Sequence, residues 1–262
     1  MRIALFVPCY VDQLKPEVGI ATLDLLEACG IQVEYPESQT CCGQPFLSAG
    51  ELERARALGR HYIDVFADFD AIVTPSGSCA ATMRRSLADW VPGAAAEQVA
   101  ERTFELCEFL DRSGAAEHLS GSFPHRVGLQ AGCHALRQLG LGTPTETRGP
   151  ARRDPARELL SSLEGLELVD LARRDECCGF GGAFSIEEEA VSCRMGLDRL
   201  ADHRDAGAEV LASTDVSCLL HLHGLARRRD MGLRVMHVAE ILAEGLRAST
   251  STSTDATPPG EA

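Results

Sequence analysis

The stretch Cys177-Cys178-Gly179-Phe180-Gly181-Gly182 and its shorter counterpart Cys41-Cys42-Gly43 determine how this chain is organised. In both stretches, two adjacent cysteines are followed by glycine. Each stretch also lies between two single cysteines, which are Cys9 and Cys79 in the first case and Cys133 and Cys218 in the second. Eight of the eleven cysteines therefore belong to two copies of one pattern. Such a repeat indicates a duplicated domain.

Length and composition agree with a duplication. The chain has 262 residues, of which 45% are hydrophobic, so two domains of roughly 120 residues can each bury a core. We predict one cysteine-rich domain at residues 1–120 and a second at residues 121–248. Residues 249–262 are rich in Ser, Thr and Pro, and this composition predicts a disordered polar tail.

The charge balance excludes one large class of function. With 39 acidic and 25 basic residues, the formal net charge is -14, and Arg227-Arg228-Arg229 is the one dense basic run. Because nucleic-acid binding depends on neutralising phosphates with basic side chains, we expect no nucleic-acid partner. The apolar run at residues 3–7 is too short for a signal peptide or a membrane span, and we expect no transmembrane segment.

Strand and helix patterns alternate along both halves. In the first half they predict strands at 2–7, 31–35 and 71–73 and helices at 17–29, from Ser48 to about Asp68, to about Trp90, and at 97–112. In the second half they predict strands at 126–130, 166–171 and 208–212, a helix that starts with Asp154 as cap and Pro155 in its first turn, and a helix from Ser185 to about His203. Gly30 is expected to end the first helix, and capping boxes at 48–51 and 185–188 are expected to open theirs. Alternation of this kind predicts an α/β fold: two tandem, pseudo-symmetric, Rossmann-like domains with parallel sheets, each carrying one cysteine motif.

The predicted elements place every patterned cysteine just beyond the carboxyl end of a strand, which is the edge at which open parallel sheets bind ligands. Four thiols per half can therefore converge. Four soft thiolates select an iron–sulfur cluster or zinc. We expect a cluster at Cys133, Cys177, Cys178 and Cys218, where the glycine-rich stretch can offer backbone N–H groups. The set Cys9, Cys41, Cys42 and Cys79 is expected to hold a second cluster or zinc.

The remaining cysteines and the nearby histidines have weaker signals. We expect Cys29, Cys107 and Cys193 to be buried structural thiols on helices. One of His134, His221 and His223 is a candidate hydrogen-bond donor to cluster sulfur in the second half. Many patterned cysteines in a chain without an export signal favour a reducing, cytoplasmic location over structural disulfides.

The residues also resemble a known family. The duplicated Cys...Cys-Cys-Gly...Cys pattern resembles the cysteine-rich CCG-domain family, whose members include the cysteine-rich component of heterodisulfide reductase and the iron–sulfur components of glycolate oxidase and anaerobic glycerol-3-phosphate dehydrogenase. The opening Val7-Pro8-Cys9, the segment Thr74-Pro75-Ser76-Gly77-Ser78-Cys79 and the stretch at 177–182 are most similar to its lactate-utilization branch.

That resemblance implies a cytoplasmic, multi-subunit complex that oxidises L-lactate to pyruvate, with this chain as its iron–sulfur electron-transfer subunit. It also implies two partners, a ferredoxin-like iron–sulfur subunit and a third small subunit, and one or two clusters of the [4Fe–4S] type. A component like that of heterodisulfide reductase, a component acting on another 2-hydroxy acid such as glycolate, and a zinc-stapled scaffold are the alternatives.

One departure from the family pattern affects the predicted chemistry. Where the heterodisulfide reductase component has Cys-x-x-Cys as its last element, this chain has Ser76-Gly77-Ser78-Cys79 and Asp215-Val216-Ser217-Cys218. Each site therefore lacks one thiolate, for which Ser76 or Asp215 could supply an oxygen ligand. His134, beside Cys133, is a further auxiliary candidate. Four cysteines remain sufficient for a [4Fe–4S] cluster, so electron relay is expected rather than direct disulfide cleavage.

Overall fold

A computed structural model describes residues 1–253 of the chain. The first half contains β1 (Ile3–Leu5), α1 (Cys9–Leu14), α2 (Pro16–Ala28), α3 (Gln44–Ser48), α4 (Leu52–Phe66), β2 (Ala71–Thr74), α5 (Gly77–Trp90), α6 (Ala94–Glu101), β3 (Thr103–Glu105), α7 (Leu106–Arg112) and a 3₁₀ turn at Ala115–His118.

The second half repeats this order with small changes. It contains β4 (Arg126–Leu129), a π-helical segment at His134–Leu139, α8 (Pro155–Ser161), β5 (Glu167–Leu168), α9 (Phe184–Glu187), α10 (Glu189–Asp205), β6 (Val210–Ser213), α11 (Val216–Arg228), β7 (Arg234–His237) and α12 (Val238–Ser253). The predicted polar tail begins within the end of α12, and its residues 254–262 lie outside the described residues.

Each half is built on its own parallel sheet. The strand orders are β1-β2-β3 in the first half and β5-β4-β6-β7 in the second. A parallel bridge between Ala4 and Glu34 adds, beside β1, the counterpart of β5 beside β4. The two sheets therefore share one topology, and the predicted α/β fold with tandem parallel sheets is confirmed.

The two halves share their largest hydrophobic core. Apolar side chains from both sheets pack there, including Leu26 of α2, Leu110 of α7, Leu160 of α8 and Leu242 of α12, all of which are almost fully buried. Helices α2 and α12 lie against each other, as do α7 and α8. The predicted boundary near residue 121 stays a prediction, but the main core extends across it.

Each half also has a smaller core on the outer face of its sheet. In the first half this core surrounds Phe66, Met83, Leu87 and Trp90. In the second half it surrounds Leu200, Leu211, Leu219 and Leu222. The sheets are thus covered by helices on both faces, which explains why β1, β2 and β6 are buried at every position rather than at alternate positions.

Several local predictions are confirmed. Gly30, with φ of 72°, follows the end of α2, where only glycine adopts a left-handed conformation at little cost. Asp154 caps α8, because its Oδ1 accepts a hydrogen bond from the backbone N–H of Arg157 at 3.1 Å. Pro155 occupies the first helical position, as expected.

Other local predictions are wrong. The single helix predicted at 97–112 is divided by β3, whose Thr103 and Glu105 are buried. Neither predicted capping box forms: Ser48 ends α3, whereas Ser185 lies inside α9 and donates from Oγ to the carbonyl of Gly182 at 2.8 Å. Of the strand predicted at 31–35, only a single bridge at Glu34 forms. Of the strand predicted at 166–171, only the two residues of β5 are in strand conformation.

Candidate metal centres

Each single cysteine lies where a strand gives way to a helix. Cys9 begins α1 just after β1, and Cys133 directly precedes the π-helical segment after β4. Cys79 and Cys218 lie in the first turns of α5 and α11, which follow β2 and β6. The cysteines therefore gather at the carboxyl edges of the sheets, as expected for an open parallel sheet.

The thiols of each half form close pairs. In the first half, Sγ of Cys9 lies 3.7 Å from Sγ of Cys41, and Sγ of Cys42 lies 3.3 Å from Sγ of Cys79. In the second half, Sγ of Cys178 lies 3.0 Å from Sγ of Cys218. All eleven cysteines of the chain are free thiols.

The glycine after each vicinal pair has a defined role. The backbone N–H of Gly43 donates to Sγ of Cys41, and that of Gly179 donates to Sγ of Cys177, both at 3.4 Å. Both glycines have positive φ angles, 84° and 89°. A Cβ at position 179 would also lie 2.6 Å from the carbonyl oxygen of Ser192. Only glycine can therefore turn the chain so that the amide points at sulfur.

The thiols of the two halves ionise in the same pattern. Hydrogen bonds from Cys42 and Cys9 lower the pKa of Cys41 to about 3, and hydrogen bonds from Cys133 and Cys178 lower the pKa of Cys177 to about 2. The pKa values of the donor thiols are raised, because these thiols bond to the thiolates and are half-buried or buried: Cys9, Cys42, Cys133 and Cys178. Each half thus presents one thiolate held by neighbouring thiols.

Both cysteine sets face the same cavity. It has a volume of about 640 Å³ and lies between the two halves. Most of its lining consists of thiols, aromatic rings, hydroxyl groups and the backbone of the stretch at 180–183. The cysteines that line it are Cys9, Cys42, Cys79, Cys133, Cys177, Cys178 and Cys218.

These residues fit an iron–sulfur cluster by donor type and by available space. Each half offers four sulfur donors, an amide that already points at sulfur, and an adjoining cavity. Within residues 1–253, no group of three or more His, Cys, Asp or Glu side chains is already arranged around a single ion. The thiols contact one another, so they would have to turn towards a common centre to hold one.

Two of the contacts that join the halves beside this cavity are related by the duplication. Tyr10, which follows Cys9, packs edge-to-face on Phe180, which follows Cys178-Gly179, with ring centroids 6.0 Å apart. In the reverse sense, Nε2 of His134, which follows Cys133, lies 2.9 Å from Nε2 of Gln44, which follows Cys42-Gly43. One crossing contact is aromatic and the other is polar.

His134 is the histidine that the structure brings to the second set. Its Nδ1 lies 3.5 Å from Sγ of Cys133, as expected for a neighbouring donor. His221 is set back and places Nε2 3.3 Å from the carbonyl oxygen of Ser192, with its ring against Phe180. His223 lies in a different pocket. Sequence position alone did not separate these three histidines.

The auxiliary candidates Ser76 and Asp215 bond to each other. Ser76 donates from Oγ to Oδ1 of Asp215 at 2.9 Å, although the two residues belong to different halves. Asp215 is 2% exposed and also accepts hydrogen bonds from Ser78. Both residues line the cavity, but their oxygen atoms are engaged with each other.

The other cysteines lie outside the two sets. Cys107 is fully buried in the shared core. Cys29 is half-buried and donates to the carbonyl oxygen of Ala115 at 3.5 Å. Cys193 is half-buried on α10 and packs against the outer core of the second half. A packing role suits all three, although only Cys107 is as buried as expected.

A buried polar network that the sequence did not predict holds the chain just ahead of Cys177. Nε2 of Gln130 donates to the carbonyl oxygen of Glu176 at 3.0 Å, and Oε1 of Gln130 accepts from Nε of Arg199 at 2.8 Å. Arg199 is fully buried and pairs with Asp202 at 2.8 Å. A glutamine also bonds to the backbone in the first half, where Gln39 accepts from the N–H of Val7 and donates to the carbonyl oxygen of Leu5 at the end of β1.

The fold and the site define a duplicated α/β protein with a four-cysteine site in each half, both sites facing one cavity. The chain belongs to the family of the cysteine-rich CCG domain, whose sequence model matches residues 3–84 and 127–223.

Its relatives include proteins named lactate utilization protein A. That of Geobacillus kaustophilus is 37% identical over 248 residues, which cover 92% of this chain and 98% of the relative. That of an Exiguobacterium species is 38% identical over 254 residues, covering 94% and 98%. Among solved structures, a putative Asp/Glu racemase from Yersinia pestis aligns with a TM-score of 0.36 at 13% identity, over 97% of this chain and 100% of that one. A likeness this weak supports no argument.

Proposed function

We propose that this chain is the iron–sulfur electron-transfer subunit of a cytoplasmic complex that oxidises L-lactate to pyruvate. The observation that carries the proposal is the meeting of both four-cysteine sites at one cavity between the halves. Relatives named lactate utilization protein A, matched along almost their whole length, supply the substrate class. Another 2-hydroxy acid, such as glycolate, is the alternative substrate.

Each half would hold its metal centre through its four cysteines. Cys133, Cys177, Cys178 and Cys218 would hold a [4Fe–4S] cluster; Cys9, Cys41, Cys42 and Cys79 would hold a second cluster or zinc. A bound cluster supplies one-electron redox chemistry. The amides of Gly43 and Gly179 and the imidazole of His134 would donate to sulfur, which favours the electron-rich state of a centre.

The lining of this cavity supports relay rather than binding of the hydroxy acid inside it. Among the described residues the lining is mostly apolar and contains no arginine or lysine, and its carboxylate, that of Asp215, is already hydrogen-bonded. A hydroxy acid carries a carboxylate, which proteins usually bind through arginine or several donors. The proposed complex therefore places substrate oxidation on other subunits, a ferredoxin-like iron–sulfur protein and a third small protein.

A reducing location is consistent with the cysteine chemistry. Six of the patterned thiols lie within 3.7 Å of another thiol, so an oxidising compartment could convert these pairs to disulfides and remove the proposed metal ligands. In the part of the chain that the structure describes, no helix is long and apolar enough to cross a bilayer.

Metal analysis of anaerobically purified protein tests the proposal. The protein should be brown, with about four irons and four sulfides per occupied [4Fe–4S] site, and reduction should give an EPR signal. Cys178→Ser should remove the centre of the second half and Cys42→Ser that of the first. Cys193→Ser is the matched control, since Cys193 lies outside both sets, and it should keep full iron content.

Two results would contradict the relay. Colourless protein that contains zinc alone would support the scaffold alternative. Turnover of lactate or of a disulfide by the isolated chain, with an artificial electron acceptor or donor, would assign the chemistry to this chain itself.

A further inference from the structure

Asp215 occupies the cap position of one helix but accepts its hydrogen bonds from the first turn of another. It directly precedes α11, yet its carboxylate makes no capping hydrogen bond to that helix. Instead, Oδ2 accepts from the backbone N–H of Ser78, in the first turn of α5, at 3.0 Å, and Oδ1 accepts from Oγ of the same serine at 2.6 Å. A residue of the second half thus caps a helix of the first half.

The helix that receives this cap carries a cysteine of the first site. Cys79 directly follows Ser78, and its backbone N–H donates to Oγ of Ser76 at 3.2 Å. Oγ of Ser76 in turn donates to Asp215 at 2.9 Å. The two orphan amides at the start of α5 are therefore satisfied by one chain of hydrogen bonds that ends on Asp215. A carboxylate here also interacts favourably with the helix dipole.

The backbone around Asp215 is shaped for this contact. A Cβ at Gly77 would lie 3.2 Å from Oδ2 of Asp215 and 2.7 Å from Cβ of Ala135. A Cβ at Gly132, the residue before Cys133, would lie 3.0 Å from the same oxygen. The backbone N–H of Gly77 also donates to the carbonyl oxygen of Thr214 at 3.2 Å. Glycine at both positions lets the halves approach closely enough for the carboxylate to cross.

We propose that Asp215 is a positioning residue for the metal centre of the first half: it holds the first turn of α5, and with it Cys79, from the second half. The inference rests on the proposed function to the extent that it assumes metal centres at the two cysteine sets. It opposes the alternative that Asp215 supplies an oxygen ligand to the second centre, three residues before Cys218. The two roles place the effect of a substitution in different halves.

Variants that keep only one metal centre separate the two roles. Cys178→Ser keeps only the first centre and is called the first-centre background. Cys42→Ser keeps only the second centre and is called the second-centre background. In the first-centre background, Asp215→Ala should make metal release by a chelator roughly tenfold easier, since a buried charged hydrogen-bond acceptor is lost. The EPR signal of that centre should change as well, or its absorption if it holds zinc. In the second-centre background, the change in metal retention should be much smaller, because no described residue of the second half donates a hydrogen bond to the carboxylate.

Milder substitutions distinguish a local effect on the first centre from general unfolding of the protein. Asp215→Asn keeps one oxygen acceptor and should recover part of the metal retention in the first-centre background. Ser78→Ala removes one donor from the first half and should weaken the same centre by a smaller factor. Ser217→Ala is the matched control, since Ser217 holds the position in the second half that corresponds to Ser78, and it should change neither centre.

The outcomes distinguish this inference from the proposed function. A change confined to the second-centre background would make Asp215 a ligand there and overturn the inference, as would an unchanged first centre. If both sites hold zinc and Asp215→Ala still weakens only the first, the inference stands while the electron-relay function fails.

Discussion

Glu105 ends β3 and is buried at the start of α7. Its Oε2 accepts a hydrogen bond from the backbone N–H of Glu108 at 3.1 Å, while Oε1 has no hydrogen-bond partner among the described residues. Burial raises the pKa of this carboxyl to about 7, because the charged form loses its hydration. His237 holds the corresponding position at the end of β7 and is also fully buried.

We expect Glu105 to make stability depend on pH. Its pKa is raised in the folded state from an ordinary value of 4.5, so the stability it contributes is fully present below about pH 4.5 and is lost as the pH rises through about 7. Glu105→Gln keeps an oxygen acceptor for the helix and does not titrate. The free energy of unfolding of Glu105→Gln minus that of wild type should therefore increase by about 1–3 kcal/mol from pH 5 to pH 8.

Urea unfolding at both pH values measures this difference. Glu97→Gln, at an exposed position on α6, is the control and should leave the pH dependence unchanged. If wild type and Glu105→Gln lost stability in parallel, the buried carboxyl would not be the titrating group.

Helix α10 positions the second vicinal pair through Arg199. This side chain is fully buried and bonds to Gln130, to Asp202 and to the carbonyl oxygen of Arg173, at 2.8, 2.8 and 2.6 Å. These contacts tie α10 and the end of β4 to the loop that leads into Cys177. The loop has little secondary structure of its own, so the network substitutes for it.

Arg199→Met should loosen this loop. The substitution removes the charged partner of buried Asp202, whose carboxylate keeps, among the described residues, only the hydrogen bonds from the backbone N–H groups of Ala172 and Arg173. We expect a loss of about 3 kcal/mol in the free energy of unfolding. In metal-free protein, alkylation of Cys177 and Cys178, followed by mass spectrometry, should become faster, whereas alkylation of Cys41 and Cys42 should not. Arg194→Met, on the exposed side of the same helix, is the control. Equal acceleration at both pairs would mean general destabilisation instead.

The elements also show what the sequence could predict. Helix α2 and strand β2 were predicted nearly as they stand, since their patterns are uninterrupted and their ends carry clear signals such as Gly30. Strand β3 was missed because its three residues lie between two helices whose apolar positions continue one helical period through it. Its strand conformation depends on pairing with β2, which the local sequence does not encode.

The candidate site was also predicted only in part from the sequence. The grouping of the eight cysteines into two sets followed from sequence, because each set repeats one pattern. The contacts of Tyr10 with Phe180 and of Ser76 with Asp215 did not, because each joins residues of different halves that only the packed structure brings together. Equivalent positions differ in chemistry, so the duplication gave no hint of these pairings.

The molecule as a whole has one main core, to which both halves contribute. Helices α2 and α12 lie against each other in that core, and hydrogen bonds cross between the halves at Ser76 and Gly77. Unfolding either half alone would expose the core face of the other. We therefore expect a single unfolding transition despite the duplicated fold.

Trp90, the one tryptophan of the chain, gives a local probe of this cooperativity, since it is buried in the outer core of the first half. Leu222 lies in the outer core of the second half and is fully buried, so Leu222→Ala should cost about 2–5 kcal/mol. If the halves unfold together, Trp90 fluorescence and far-UV circular dichroism should shift to lower urea by the same amount, although the substitution lies in the other half. Leu14→Ala, at an exposed position, should shift neither signal. A fluorescence transition that stays in place while part of the dichroism transition moves would show that the halves unfold independently, and that the shared core is too weak to couple them.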